Sequence, residues 1–337
     1  MDAQVSWAAR WPQRVSLACL ILAAISVLQV AAQAAAYRTA NFTVAAPTTQ
    51  LAKEIGDTAE RCRKELAIEW LGRELPNWSK PCPIHATVAP GLGAGGATSF
   101  VFDRGEVFDW DMKVQGSRER VLDSVIPHEV THTVFATHFR QPLPRWADEG
   151  ACTTVEHHSE IRKQENMLIT FLKTRRGIDF NTMFRLKEYP QDVLPLYAQG
   201  HSLARYLIDQ KGKRAFLTFL ADGMQDERWD RAIEKHYGYE HLLALQNSWL
   251  DWIKAGRPQL QPQDGVMLAS AQAPAPPAAS AARGEVAAGK SVYGEDASWR
   301  PQKRRPITPE AATSDSQASS SAAAAYDASR THESAWR

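Results

Sequence analysis

The chain has 337 residues, with 39 Lys and Arg against 38 Asp and Glu, for a formal net charge of +1. Such a balance supplies no basic field to hold nucleic acid or an anionic membrane, and it is compatible with a peptide or protein partner. The length suffices for a catalytic domain with a full core, and an apolar content of 44% is that of a globular protein.

Residues 1–36 read as a targeting segment. Arg10 and Arg14 form a weakly basic start, Val15 to Leu28 is apolar, and Ala32-Gln33-Ala34 and Ala34-Ala35-Ala36 offer small-x-small cleavage sites. A signal peptide implies a secreted or periplasmic protein. The rival is an uncleaved N-terminal anchor, because the low-polarity stretch reaches Ala36 and is just long enough to span a bilayer. Gln29 and Gln33 inside it favour cleavage.

Residues 37–256 read as one folded domain. Asn41 to Ala45 is a short strand. From Pro47 to Leu71, apolar residues at Leu51, Ile55, Ala59, Cys62, Leu66 and Trp70 recur at steps of three and four, which predicts an amphipathic helix stopped at Gly72. Pro83 to Ala89 reads as a strand, Gly91 to Gly96 as a glycine-rich turn, and Ser99 to Phe102 with Glu106 to Met112 as a strand pair around Asp103-Arg104-Gly105. The glycine stretch has no terminal Gly-Lys-Ser/Thr and is no phosphate loop. It is an ordinary turn or a rim beside an edge strand that could accept an extended peptide.

The second half is helical. A helix opens at Ser117 and runs through residues 128–132, with Pro127 kinking or restarting it. Pro142 and Pro144 break the chain before a helix near Arg145, and further helices follow at about 160–174, 197–210, 213–222 and 239–254. Strands first and helices second indicate an α+β domain whose sheet packs on the first long helices. Residues 257–337, rich in Ala, Pro, Ser and Gln, read as a disordered low-complexity tail.

His128 and His132 are four residues apart, so on a helix they share a face and can hold one metal ion. Glu129 stands at the edge of that face, where a carboxylate can act as base on water without ligating the metal. A catalytic zinc site takes a third protein ligand. Glu149, seventeen residues after His132, is placed to supply it if the two helices pack antiparallel; Asp148 is the neighbouring candidate, and adjacent helical residues point about 100° apart, so one of the two ligates. Val125, Ile126, Val130, Val134 and Phe135 make this helix apolar enough to be buried, and buried imidazoles need partners.

Pro127-His128-Glu129-Val130-Thr131-His132, followed by Pro144-Arg145-Trp146-Ala147-Asp148-Glu149-Gly150-Ala151, resembles the peptidase MA-like gluzincin metallopeptidases, the thermolysin-type zincins. The resemblance extends over about residues 40–255 and is specific in these two motifs alone. It implies a zincin-like fold and Zn2+ held by His128, His132 and Glu149. It also implies Glu129 as general base and Tyr197 and His201 as donors to the transition-state oxyanion. Where thermolysin has an Asp four residues after its ligand glutamate, this chain has Thr153, so the groups around the metal must differ.

The function expected is zinc-dependent peptide-bond hydrolysis. A non-catalytic zinc-binding module that recognises peptides is the alternative, and a structural surface protein a weaker one. Glu129, which serves chemistry and not ligation, favours the enzyme. Of the remaining residues, Glu156, two turns after Glu149, could orient a ligand histidine but reads first as a surface carboxylate; His138, His157 and His158 read as surface groups, and the tryptophans at 146, 229, 249 and 252 as core. Cys62 and Cys82 are expected to form a disulfide, since the residues from Arg73 to Cys82 are ample to return the chain to the first helix. Cys152, one turn past Glu149, could approach the metal but reads first as a small buried residue, and it is expected to stay a free thiol.

Overall fold

A computed structural model describes residues 35–260, 287–290 and 293–294. The fold is mixed α and β, with a sheet on the N-terminal side and a helical remainder. It divides into two compact units: one runs through Pro142 and takes in Val155–His157 and a later strand, and the other holds Leu143–Thr154 and the chain from His158.

In the first unit, β1 (Ala35–Arg38), β2 (Phe42–Ala46), β3 (Cys82–Val88), β4 (Gly95–Asp103), β5 (Glu106–Gly116) and β6 (Ala287–Lys290) form a mixed sheet. Its order is β1-β2-β3-β5-β4-β6, and a two-residue strand β7 (Tyr293–Gly294) also pairs with β4. The β2–β3 and β3–β5 pairs are parallel and the others antiparallel. Alternation produces β2, where Phe42, Val44 and Ala46 are buried and the residues between them are not. The β4–β5 hairpin turns at Arg104 and Gly105, both at positive φ. β1 starts inside the segment read as targeting, and β6 and β7 lie inside the segment read as a tail; residues 1–34 of the first and all but 257–260, 287–290 and 293–294 of the second lie outside the described residues. No described helix is long and apolar enough to cross a membrane.

Helix α1 (Thr49–Leu71) fills the connection between the parallel strands β2 and β3. The Thr48 side chain caps its first turn by accepting from the Leu51 N–H, and Gly72 ends it in the left-handed conformation that glycine adopts without strain. Its periodic face, Ile55, Ala59, Cys62, Leu66 and Trp70, is buried, as the spacing predicts. Trp70 meets Phe135 of helix α2 (Ile126–Phe139) edge to face, ring centroids 4.9 Å apart. Pro127 restarts the chain: a π-helical turn over Val121–Val125 leads into α2, which places the proline in its first turn, where its missing N–H costs nothing.

The second unit contains α3 (Arg145–Thr153), α4 (His158–Lys173), a helical turn α5 (Phe180–Met183), α6 (Leu194–Asp226), α7 (Trp229–Tyr237) and α8 (Leu242–Lys254). The two helices expected at 197–210 and 213–222 are both present within α6 and meet at a kink at Gly212, whose φ of 81° is not helical. Residues α5 and α7 cover were not expected to be helical. Aromatic side chains build the core: Trp146 packs on Phe184 at 4.5 Å between centroids and Phe180 on Trp249 at 5.2 Å. All four tryptophans read as core are buried.

The expected Cys62–Cys82 disulfide is absent: both cysteines are free and buried, and Cys152 is buried too. Chain reach is necessary for a disulfide and not sufficient, because the two Cβ atoms must also come within about 4.5 Å. The β2–β3 register holds Cys82 opposite Phe42, and its thiol donates to the carbonyl of its own neighbour Pro83 at 3.4 Å. Burial pushes the Cys62 thiol up to about 11 and that of Cys82 higher still.

Candidate metal centre

Helix α2 brings His128 and His132 together as their spacing requires, with ring centroids 4.9 Å apart, both fully buried. The Nδ1 of His128 lies 2.7 Å from Glu156 Oε1. With the carboxylate ionised, that contact assigns the imidazole proton to Nδ1 and makes Nε2 the basic nitrogen, the one that could ligate a metal. Glu156 is thus not the surface carboxylate expected. Its reversal has a visible cause in the loop that carries it. The His157 N–H donates to Ser124 Oγ at 3.2 Å, and the Ser124 hydroxyl donates to Asp123. Arg120 reaches both Asp123, at 2.5 Å, and His157 Nδ1, at 2.8 Å. This network ties Val155–His157 to the turn preceding α2 and delivers Glu156 to its first histidine. Of the three histidines read as surface groups, His158 is exposed, while His138 and His157 are half-buried.

Glu129 is fully buried against β4. The Thr98 hydroxyl donates to its Oε2 at 2.6 Å. Gly96 leaves the room: a Cβ built there would stand 2.8 Å from the Glu129 Cγ and Cδ. The glycine-rich stretch therefore does more than turn the chain, since Gly95 and Gly96 already belong to β4. The outer edge of β4 is not open along its length, because β6 pairs antiparallel with Ser99–Phe102.

Within the second unit, Glu149 is fully buried on α3 and its Oε1 accepts from the Tyr189 hydroxyl. Burial and the Glu149 charge raise the Tyr189 phenol well above its ordinary value, so it stays protonated and donates. Asp148, the alternative ligand, is also buried. Thr153 spends its hydroxyl on the Glu149 carbonyl at 2.9 Å. Helices α3 and α6 cross in backbone contact through Gly150 and Gly200: a Cβ on Gly150 would strike the Gly200 carbonyl and stand 2.9 Å from the His201 nitrogen, and one on Gly200 would stand 2.5 Å from the Trp146 oxygen.

Tyr197 and His201 share α6 and are both buried, so the histidine is not on the surface. Burial lowers the His201 pKa to about 4, helped by the Arg205 charge and partly opposed by the Gly150 backbone, which leaves the ring neutral near pH 7. Tyr197 lies beside Tyr189, ring centroids 6.4 Å apart.

His128, His132 and Cys152 form a buried group whose ligand atoms all lie within 4.8 Å of one another and which could hold a metal ion. The donor chemistry fits: zinc takes imidazole, thiolate and carboxylate ligands at about 2.0–2.3 Å, which puts tetrahedral donors about 3.4 Å apart. No family model matches the chain, and no curated protein matches it significantly. Thr98 and Tyr189 had no signal in the sequence, whereas Glu156 was legible as a group that could orient a histidine, the less favoured of its two readings. Glu156 alone had a local signal, two helical turns beyond Glu149; Thr98 and Tyr189 are brought in by tertiary contacts across 31 and 40 residues.

Proposed function

We propose that the protein is a zinc-dependent hydrolase of peptide bonds, built on the zincin-like plan its motifs resemble and exported by its N-terminal segment. Glu129 carries the reading. A histidine pair needs no glutamate between its members to bind metal, yet this carboxylate is fully buried and held by Thr98. Burying a charge is costly unless it is paired and hydrogen-bonded, so the arrangement makes sense where the carboxylate has work to do.

His128, His132 and Glu149 would hold the zinc, which when bound supplies a Lewis acid that acidifies water and polarises a carbonyl. The remaining roles belong to the chain. Glu156 holds the proton on His128 Nδ1 and so keeps Nε2 in the ligating form. Thr98 fixes one oxygen of Glu129, and the carboxylate accepts the proton of the attacking water and delivers it to the departing amine nitrogen. His201, neutral near pH 7, and Tyr197 are the candidate donors to the oxyanion.

A second reading, a metal clasp without catalysis, is favoured by the His128, His132 and Cys152 group. Zinc content and peptide hydrolysis in three variants separate the two. Glu129→Gln should keep about one zinc per chain and lose turnover by about a thousandfold, within the range of general-base contributions. Glu149→Ala should lose the metal, and Cys152→Ser should keep it. Full hydrolysis by Glu129→Gln would overturn the mechanism, and loss of zinc in Cys152→Ser with retention in Glu149→Ala would replace it by the clasp.

A further inference from the structure

We infer that Tyr189 is a positioning residue for the metal, acting through Glu149; the inference rests on the ligand assignment proposed above. Tyr189 lies in the segment between α5 and α6, forty residues from the glutamate it contacts, and its hydroxyl donates to Glu149 Oε1. That segment is anchored by the same helix that carries the glutamate. Arg145 and Glu149 are four apart on α3 and share a face. The Arg145 guanidinium lies over the Tyr189 ring, 4.7 Å from its centroid, and its Nε donates to the Lys187 carbonyl at 3.0 Å. One end of the helical face thus holds the loop and the ring, and the ring returns a hydroxyl to the other end.

The consequence is rotational. A glutamate side chain has three soft torsions, and a carboxylate that must ligate a metal loses that freedom on binding. A phenol on one oxygen removes much of it beforehand. Groups of this kind, which touch a ligand and not the metal, typically contribute tenfold to a hundredfold in metal affinity. The fixed partner also keeps the buried carboxylate hydrogen-bonded when the metal is away, at a site where an unpartnered charge is costly.

The experiment is zinc affinity of the purified full chain, by chelator competition, in wild type, Tyr189→Phe, Glu149→Ala and the double variant, with melting temperatures taken in EDTA. Tyr189→Phe should weaken zinc at least about tenfold with an unchanged metal-free melting temperature. In the Glu149→Ala background the same change should have no further effect. An affinity within about twofold of wild type for Tyr189→Phe, where Glu149→Ala does weaken zinc, would overturn the positioning role and leave the ligand assignment standing. An equal loss in both backgrounds would mark Tyr189 as a packing residue and overturn it too. Unchanged affinity in Glu149→Ala would overturn the ligand assignment itself, and the inference with it.

Discussion

Glu129 and Glu149 are both fully buried carboxylates on helices, the first packed against a glycine and the second followed by one, and the two settings yield differently. Glu129 meets Gly96 with the end of its own side chain, and its partner is a strand hydroxyl. Glu149 precedes a glycine whose neighbour is the Gly200 carbonyl, and its partner is a phenol from a distant loop. A side-chain end can swing aside; a backbone carbonyl inside a helix cannot. The first setting should therefore be tunable in activity at little cost in stability, whereas the second should fail as a structure.

The largest effect expected from breaking this contrast is on Gly150→Ala. The added methyl has to push two helices apart, which costs about 3 kcal/mol, the upper end of core overpacking. Thermal unfolding should show a melting temperature about 10 °C lower, and a shift under 2 °C would show that the crossing is soft.

The second unit should also respond to acid. Folded His201 has a pKa of about 4 against about 6.5 for an unfolded histidine. Above pH 6.5 neither state is protonated and stability is full. Between 6.5 and 4 the unfolded chain takes up the proton and the folded one does not, so stability falls with pH by about 3 kcal/mol from this group. Denaturant midpoints for wild type and His201→Asn, compared across that range, should converge as the pH drops; parallel curves would contradict the buried neutral ring.

In the first unit, Glu156→Gln should act on the metal rather than the fold. A neutral amide still fills the space beside His128 but supports Nε2 less well as a ligand, so zinc affinity should fall by about tenfold to a hundredfold. Chelator competition measures it, and an unchanged affinity would reduce Glu156 to a packing partner. The smallest effect sharpens the comparison most. Gly96→Ala should displace the Glu129 carboxylate, lowering turnover by about tenfold (about 1.4 kcal/mol) with KM and melting temperature nearly unchanged. A large drop in melting temperature instead would mean that β4 is as unyielding as the α3–α6 crossing.

How much of this was legible beforehand follows the range of the interactions. The histidine pair and Glu129 are local: a step of four residues on a helix dictates a shared face whatever surrounds it. The α1 face, the Gly72 stop, the restart at Pro127 and the β4–β5 hairpin were legible for the same reason, as propensities and periods acting within a few residues. Gly212 was legible in the same way, since one glycine at positive φ separates the helix before it from the helix after it.

By itself, then, the sequence determined an N-terminal sheet, a helical second half and a helical face, between two proline breaks, whose histidine pair could hold a metal ion. Within each unit, tertiary structure alone decided which polar groups meet the histidines and the two carboxylates. Glu156 reaches His128 because Arg120, Asp123 and Ser124 tether its loop, Thr98 reaches Glu129 because Gly96 admits the carboxylate, and Tyr189 reaches Glu149 because Arg145 holds the ring. It decided equally against the Cys62–Cys82 bond, where chain length permitted what the strand register did not provide. The physical reason is common to all of these. Backbone periodicity is set by local sterics, but a hydrogen bond between side chains requires two distant segments to agree to within a few tenths of an ångström, and only the packed chain imposes that.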